Sequence, residues 1–217
     1  MKKLLLLGMG PGNGLAIARR FGRGGFEILM VARSEERLAA FKNELEKEGI
    51  TSRFYAADLT DSAGFGLVLQ RIVAENGPIN GLHYNASAFN PARPSEIDLA
   101  VFMDDFRTNV VGAIQAIQAV LPSMKLRGEG FIFLTGVGTA IDPPANLASL
   151  GIGKAAIRNL AFSLADECHP RGIQVATITI CGFVQPGGRF DPDLLAEKWW
   201  QLAGLRKEDW PTEVVWK

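Results

Sequence analysis

The stretch LLLLGMGPGNGLAIARRFG, residues 4–22, decides the fold class of this chain. Four leucines form an apolar run of strand length, and glycines at positions 8, 10, 12 and 14 follow them. Behind the glycines, apolar residues recur with the period of a helix. A strand that leads through such a turn into a helix lets backbone N–H groups approach a phosphate at the helix N-terminus. The stretch therefore predicts nucleotide binding, with a glycine-rich turn that binds nothing as the simpler alternative.

The rest of the chain repeats this alternation of strand and helix. Apolar runs of strand length lie at residues 3–7, 26–31, 53–56, 79–84, 130–135, 173–180 and 213–216. Stripes of helical period separate them, one behind the cap candidate Ser34 and another behind Thr60. Continuous apolar strands between helices are typical of a parallel sheet that is covered on both faces. We therefore predict an α/β fold, a Rossmann-type doubly wound sheet of about seven mainly parallel strands with helices on both faces.

The length and pattern favour one domain. A chain of 217 residues can bury one substantial core, and no repeat, low-complexity tract or linker divides it. We predict a single dinucleotide-binding domain over residues 1–217, with a short substrate lid near residues 183–212. The long helical segments at about 97–126 and 146–167 are predicted to join subunits in a homodimer or homotetramer.

Composition excludes several classes of partner. The 23 basic and 23 acidic residues cancel, and no basic block marks a nucleic-acid surface. No apolar run approaches the roughly 18 residues that a membrane helix needs. Cys168 and Cys181 are the only cysteines, too few for a disulfide framework or a metal cluster. We expect no nucleic-acid partner, no membrane, no metal, a cytoplasmic location and a small-molecule substrate.

An arginine follows the second predicted strand, about twenty residues after the glycine turn. An acidic side chain at this place binds the ribose 2′-hydroxyl of NAD, whereas an arginine suits the 2′-phosphate of NADP. The chain has Arg33 here. We therefore predict NADP(H) as the preferred cofactor, with NAD(H) possible. A solvated arginine at a helix start is the alternative.

The order and spacing of the motifs resemble the short-chain dehydrogenase/reductase family over nearly the whole chain. The residues that carry the resemblance are Gly8-x-x-x-Gly12-x-Gly14, Asp58-Leu59, Asn85-Ala86-Ser87, Asn109 and Lys154. The resemblance implies that Gly8, Gly12 and Gly14 bind the cofactor phosphates, together with Asn13, which stands where the G-x-G-x-x-G form has glycine. It also implies that Asp58 and Leu59 meet the adenine, and that Asn85 and Ala86 line the cofactor.

The resemblance further implies an active site around Lys154. This lysine would bond the nicotinamide ribose and lower the pKa of a catalytic tyrosine, and Asn109 would hold a water beside it. A stem packed along an apolar stripe with its ammonium in solvent is the alternative for Lys154. Both histidines, His83 and His169, lack an evident partner and are interpreted as structural or exposed.

Two catalytic positions of the family are filled by apolar residues. The tyrosine belongs four residues before the lysine, where this chain has Leu150, and Tyr55 and Tyr84 fall in other motifs. The family serine aligns with the Gly136-Val137 pair. Thr135 is the candidate catalytic hydroxyl, and Lys154 could donate through a water. Other donors in the right stretch are Thr139, Ser149 and Asp142. Leucine has no proton to give, and general acid assistance is worth about 10²- to 10⁴-fold in rate.

Two functions follow from this pattern. One is an NADP(H)-dependent oxidoreductase that acts on a small carbonyl compound or alcohol with a proton donor other than tyrosine. The other is a catalytically inactive dinucleotide-binding sensor or partner subunit on the same scaffold.

Overall fold

A computed structural model describes residues 1–217 and contains one seven-stranded sheet. The strands are β1 Lys2–Leu7, β2 Phe26–Ala32, β3 Ser52–Ala56, β4 Gly81–Tyr84, β5 Gly130–Val137, β6 Ile173–Ile180 and β7 Glu213–Trp216. They lie in the order β3-β2-β1-β4-β5-β6-β7, and every neighbouring pair is parallel. The prediction of about seven mainly parallel strands in a single-domain Rossmann-type fold is confirmed.

Seven α-helices connect the strands. They are α1 Asn13–Arg23, α2 Glu35–Lys47, α3 Ser62–Asn76, α4 Leu99–Phe106, α5 Gly112–Arg127, α6 Ala148–Cys168 and α7 Pro192–Ala203. A π-helical turn, Arg107–Val111, joins α4 to α5, so the long helical segment predicted at 97–126 is continuous but changes its winding midway. None of the helices is both long and apolar enough to cross a membrane.

One predicted helix cap is correct and the other is wrong. The Ser34 hydroxyl accepts a hydrogen bond from the Arg37 backbone N–H at 3.2 Å and caps α2. Helix α3 is capped by Asp61, whose Oδ1 accepts from the Gly64 N–H at 3.0 Å. Thr60 lies one residue too early for this role, and its hydroxyl donates to Asp58 instead.

The two faces of the sheet carry separate hydrophobic cores. Leu5 and Leu7 of β1 pack in a cluster with buried residues of α3, α5 and α6. Leu4 and Leu6 point the other way and pack with α1, α2 and α7. Trp199 of α7 stacks on Phe133 at 5.1 Å between ring centroids, so the tryptophan-rich tail belongs to this second core.

The order of the strands determines where ligands can bind. Connections run outward in opposite directions from β1 and β4, which are neighbours in the middle of the sheet. In an open parallel sheet a crevice forms at such a switch point, outside the carboxyl ends of the strands. A ligand site is therefore expected between the loops after β1 and β4.

Candidate active site

A cleft of about 350 Å³ lies at this carboxyl edge. Its volume is within the range of small-molecule sites, about 300–1,000 Å³. Six residues that the sequence predicted for a cofactor line it: Gly8, Arg33, Asp58, Leu59, Asn85 and Ala86. They come from the ends of four different strands, so the fold brings together residues that are 78 positions apart in the chain.

Gly8 makes the turn after β1 in a backbone conformation that only glycine adopts readily. Its φ is +83°, and a Cβ there would lie 2.3 Å from the backbone nitrogen of Ala86. The Gly8 N–H donates to the Val31 carbonyl at 3.0 Å, which holds the turn against β2. Glycine at position 8 is therefore required by both conformation and space.

We expect Gly8→Ala to lower the free energy of unfolding by about 3 kcal/mol, because left-handed strain adds to a steric clash with rigid backbone. Gly10→Ala is the matched control, since a Cβ at Gly10 would have no atom within 4 Å. That variant should stay within about 1 kcal/mol of the parent protein. Urea unfolding measures both, and equal stability of the two variants would contradict the close approach of position 8 to Ala86.

The N-terminus of α1 presents open backbone towards the glycine turn. Gly12 precedes the helix and offers no side-chain cap, and a Cβ at Gly12 would meet nothing within 4 Å. Gly14 is different, because a Cβ there would lie 3.0 Å from the Gly8 carbonyl oxygen. The Asn13 side-chain oxygen is buried and has no hydrogen-bond partner. Uncapped helical N–H groups beside open space are suited to bind a phosphate.

Two arginines line the cleft. Arg33 follows β2, and Arg37 lies one turn further along in α2. Both side chains are exposed, and neither takes part in the ion pairs of the chain. Arg37 was not predicted from the sequence, because Arg33 lies outside α2 and the helical phase of α2 decides which of its residues face the cleft.

Asp58 lies in the cleft wall near Arg33. Its Oδ1 accepts from the Thr60 backbone N–H at 2.9 Å and from the Thr60 hydroxyl at 2.8 Å. These hydrogen bonds, aided by the Arg33 charge, hold the pKa of the Asp58 carboxyl below its usual value. Asp58 is therefore ionised at neutral pH and can accept hydrogen bonds from a ligand.

Asn85 lines the cleft and contacts the buried Thr135. The Asn85 amide donates to the Gly8 carbonyl at 3.0 Å, and the Thr135 hydroxyl donates to Asn85 Oδ1 at 3.1 Å. Thr135 is buried. Its hydroxyl is thus engaged inside the sheet, which argues against the candidate role of Thr135 as a catalytic hydroxyl.

Lys154 is a fully buried cation with one partner. Its Nζ donates to the Thr135 carbonyl at 2.9 Å, and no carboxylate pairs with it. Burial lowers the pKa of Lys154 to about 8. The remaining N–H groups of the ammonium have no protein acceptor, and the alternative of an ammonium in solvent is wrong.

Asn109 lies in the π-helical turn and is completely buried. Its side chain accepts from the Ala88 N–H at 3.0 Å and donates to the Ala88 carbonyl at 2.7 Å, which fixes the loop after β4. A Cβ at Gly153 would lie 3.0 Å from the Asn109 Cβ, so α6 packs closely here and brings Lys154 beside the turn. Such π-turns are frequent at functional sites.

Leu150 is buried one helical turn before Lys154, and residues four apart lie on the same helix face. Neither tyrosine reaches this position. The Tyr55 hydroxyl donates to Glu75, and the Tyr84 hydroxyl donates to the Thr108 carbonyl. Burial raises the pKa of Tyr84 above its usual value. No phenol therefore takes the place of Leu150.

The other hydroxyls of this region are engaged or enclosed. The Ser149 hydroxyl donates to the buried Asp105 carboxylate at 2.5 Å. The Thr139 hydroxyl is buried without a partner, and Asp142 is exposed. At Gly136 a Cβ would lie 2.8 Å from the Thr177 hydroxyl, so no side chain fits there. Lys154 is the one cation among these groups.

The fold is that of the short-chain dehydrogenases. The sequence profile of the short chain dehydrogenase family matches residues 2–188, and the chain belongs to that family. Oxidoreductase asL5 of Sarocladium schorii is 33% identical over 180 residues, which cover 82% of this chain and 70% of the relative. The NADP-dependent 3-hydroxy acid dehydrogenase YdfG of Salmonella typhi is 29% identical over 98% of this chain and 87% of its own length.

Solved structures agree with the fold. A metagenomic short-chain oxidoreductase in complex with NADP superposes with a TM-score of 0.90 at 23% identity, over 99% of this chain and 95% of the other. An alcohol dehydrogenase from the archaeon Thermococcus sibiricus, complexed with 5-hydroxy-NADP, gives 0.89 at 22% identity, over 100% and 96%. At this identity the likeness establishes the architecture, and function has to be argued from the site.

Proposed function

We propose that this chain is an NADP(H)-dependent oxidoreductase that acts on a small carbonyl compound or alcohol with a proton donor other than tyrosine. The observation that carries the proposal is the buried Lys154 ammonium, which has one hydrogen-bond partner and no counter-charge. A buried cation with free donors is unfavourable unless a ligand completes its contacts. The ribose hydroxyls of a dinucleotide would do so.

The remainder of the cleft fits the same ligand. Arg33 and Arg37 are cations without ion-pair partners, suited to the 2′-phosphate that distinguishes NADP from NAD. Beside the cleft, the open backbone at Gly10 and Gly12 and the unpartnered Asn13 oxygen would provide room and polar groups for the phosphates that link the two nucleosides. Asp58 would accept from the adenine. Relatives whose names or structures include NADP support this choice.

Bound NADPH supplies a hydride, and the protein must supply a proton to the substrate oxygen. We propose that Lys154 is the source, directly or through a water. One N–H bond breaks as the C=O π bond opens, the proton passes to the oxygen, and solvent reprotonates the neutral amine. A pKa of about 8 brings this group closer to neutrality than an ordinary lysine, which favours proton transfer. Asn109 keeps the neighbouring loop in place through Ala88.

The second candidate is a dinucleotide-binding sensor or partner subunit without catalysis. It is favoured by one observation: Leu150 and the Gly136-Val137 pair, none of which can donate a side-chain proton, occupy the positions where the resemblance places the family's hydroxyls. This candidate requires the same cofactor cleft, so the two functions differ only in turnover.

Two measurements test the proposal and separate the candidates. NADPH should raise the melting temperature, as expected of any ligand that binds the folded state selectively. Consumption of NADPH is then followed by absorbance with a panel of aldehydes, ketones and quinones. Turnover supports the oxidoreductase, and binding without turnover supports the sensor. If neither NADPH nor NADH shifts the melting temperature, both functions are wrong.

We expect Arg33→Ala and Arg37→Ala each to weaken NADPH binding about tenfold, because each loses a charge-assisted contact to the 2′-phosphate. NADH lacks that phosphate, so its affinity should stay unchanged. Isothermal titration calorimetry measures both cofactors. Lys47→Ala is the control, because Lys47 is an exposed cation on the same helix and does not line the cleft. Equal weakening of NADPH and NADH binding would show that the arginines do not recognise the 2′-phosphate.

Two further assignments are proposals. Self-association through the long helices is supported by apolar side chains exposed on them: Leu99, Val101, Met103, Ile114, Ile152 and Phe162. A short substrate lid near residues 183–212 is supported by the loop between β6 and α7, whose Phe183 is 91% exposed.

A further inference from the structure

His83 lies in the centre of the sheet and is completely buried. Its ring packs edge-on against Trp199 of α7, with 4.6 Å between centroids, and against Phe133 at 6.2 Å. Its Nε2 is 3.1 Å from the Thr135 hydroxyl, and its Nδ1 is buried without a partner. Buried polar side-chain atoms without a hydrogen-bond partner are rare in native proteins, so the presence of a histidine at this position requires an explanation.

The hydrogen bonds around Thr135 determine which nitrogen of His83 carries the proton. The Gly8 carbonyl can only accept, so the Asn85 amide nitrogen must face it and Asn85 Oδ1 must face Thr135. The Thr135 hydroxyl therefore donates its single proton to Asn85 Oδ1. Towards His83 it can only accept, so His83 must donate from Nε2. Burial lowers the pKa of His83 to about 3, which keeps the ring neutral and leaves Nδ1 bare.

Thr135 connects this histidine to Asn85 in the cleft wall. Its hydroxyl holds Asn85, which holds the glycine turn through the Gly8 carbonyl. Its backbone carbonyl, fixed in β5, accepts from Lys154. A rotation of the Thr135 side chain would therefore release Asn85 and, with it, the hydrogen bond to the Gly8 carbonyl. The His83 N–H opposes this rotation, because it donates to the oxygen of the Thr135 hydroxyl and so fixes the direction of the hydroxyl.

We propose that His83 is a positioning residue for cofactor binding, which acts through the Thr135 hydroxyl on Asn85 and, through Asn85, on the glycine turn. This inference rests on the proposed cofactor cleft. It assigns His83 to the part of the cleft at the glycine turn and leaves the arginines independent of it. Trp199 supports the arrangement by closing the far side of the ring against water.

The test compares two ligands on three proteins by calorimetry. His83→Leu removes the donor at similar volume, and His83→Gln restores an N–H near the place of Nε2. NADPH would contact both the glycine turn and the arginines, whereas adenosine 2′-monophosphate carries only the phosphate that the arginines would bind. We expect His83→Leu to weaken NADPH about tenfold, which corresponds to about 1.4 kcal/mol, and to leave the affinity for the monophosphate within about twofold. His83→Gln should bind NADPH within about threefold of the parent protein.

Several results would overturn the inference. Unchanged NADPH affinity in His83→Leu, or equal weakening of both ligands, leaves His83 as packing only, while the proposed function stands if the parent protein binds NADPH. Failure of the parent protein to bind NADPH overturns both. If His83→Leu does not fold, Thr135→Val provides the same comparison, since it removes the hydroxyl and keeps the carbonyl for Lys154.

A second measurement needs no variant. Nitrogen-15 spectra of the histidine-labelled protein contain only two rings, since the chain has 2 histidines. His83 should show a neutral ring with the proton on Nε2. A proton on Nδ1 would contradict the hydrogen-bond order on which the proposal depends.

Discussion

Leu150→Tyr is expected to raise the rate of NADPH-dependent carbonyl reduction by about 100-fold or more. Hydride transfer to a carbonyl leaves an alkoxide, and a well-placed general acid is worth about 10²- to 10⁴-fold. Position 150 lies one helical turn before Lys154 on the same face of α6. The nearby ammonium would lower the pKa of a phenol placed there and make it a better acid.

Initial rates with the aldehyde and ketone panel measure this gain. Leu150→Phe is the matched control, because it introduces the same ring without the hydroxyl and should not exceed the parent rate. If the tyrosine and phenylalanine variants are folded, bind NADPH and react equally slowly, position 150 does not reach the reacting oxygen.

Lys154→Met is expected to have opposite effects on stability and function. Burial lowers the pKa of Lys154 from 10.5 to about 8, so at neutral pH the buried ammonium costs about 3 kcal/mol of folding free energy. Methionine removes this penalty but leaves the Thr135 carbonyl without a partner, at about 1 kcal/mol. The variant should therefore be about 2 kcal/mol more stable at pH 7, by urea unfolding.

The same variant should lose function. Without the ammonium the proposed proton source is gone, and we expect any turnover to fall at least 100-fold. Lys47→Met is the control, because Lys47 is exposed and outside the cleft, so both stability and turnover should remain near those of the parent.

The effect of pH on stability has a definite sign. Between about pH 8 and 10.5, the two pKa values of Lys154, the unfolded chain binds more protons than the native state. The free energy of unfolding of the parent protein should therefore rise with pH across this window, by up to about 3 kcal/mol relative to Lys154→Met. A constant difference between the two proteins would mean that Lys154 is not desolvated.

The local sequence pattern was sufficient to predict the helices and strands and several of the residues that line the cleft. Glycine spacing located the turn after β1, and Arg33 could be placed because it directly follows an apolar strand. The cap of α3 was missed by one residue, since Thr60 and Asp61 are adjacent and only geometry shows which one reaches Gly64. Arg37 was missed because its part in the cleft depends on the helical phase of α2.

By itself, the sequence determined the alternation of strands and helices, the glycine turn, and the absence of tyrosine four residues before Lys154. These are local properties, read from period, spacing and residue type within one segment. Only the tertiary structure decided that Lys154 is buried with one partner, and that His83, Thr135 and Asn85 form one hydrogen-bonded chain. Thr135 and Asn85 are 50 residues apart, and the pairing of β4 with β5 in a particular register brings them together. Strand order and register arise from packing the whole sheet between its two helical layers, which no single segment of sequence encodes.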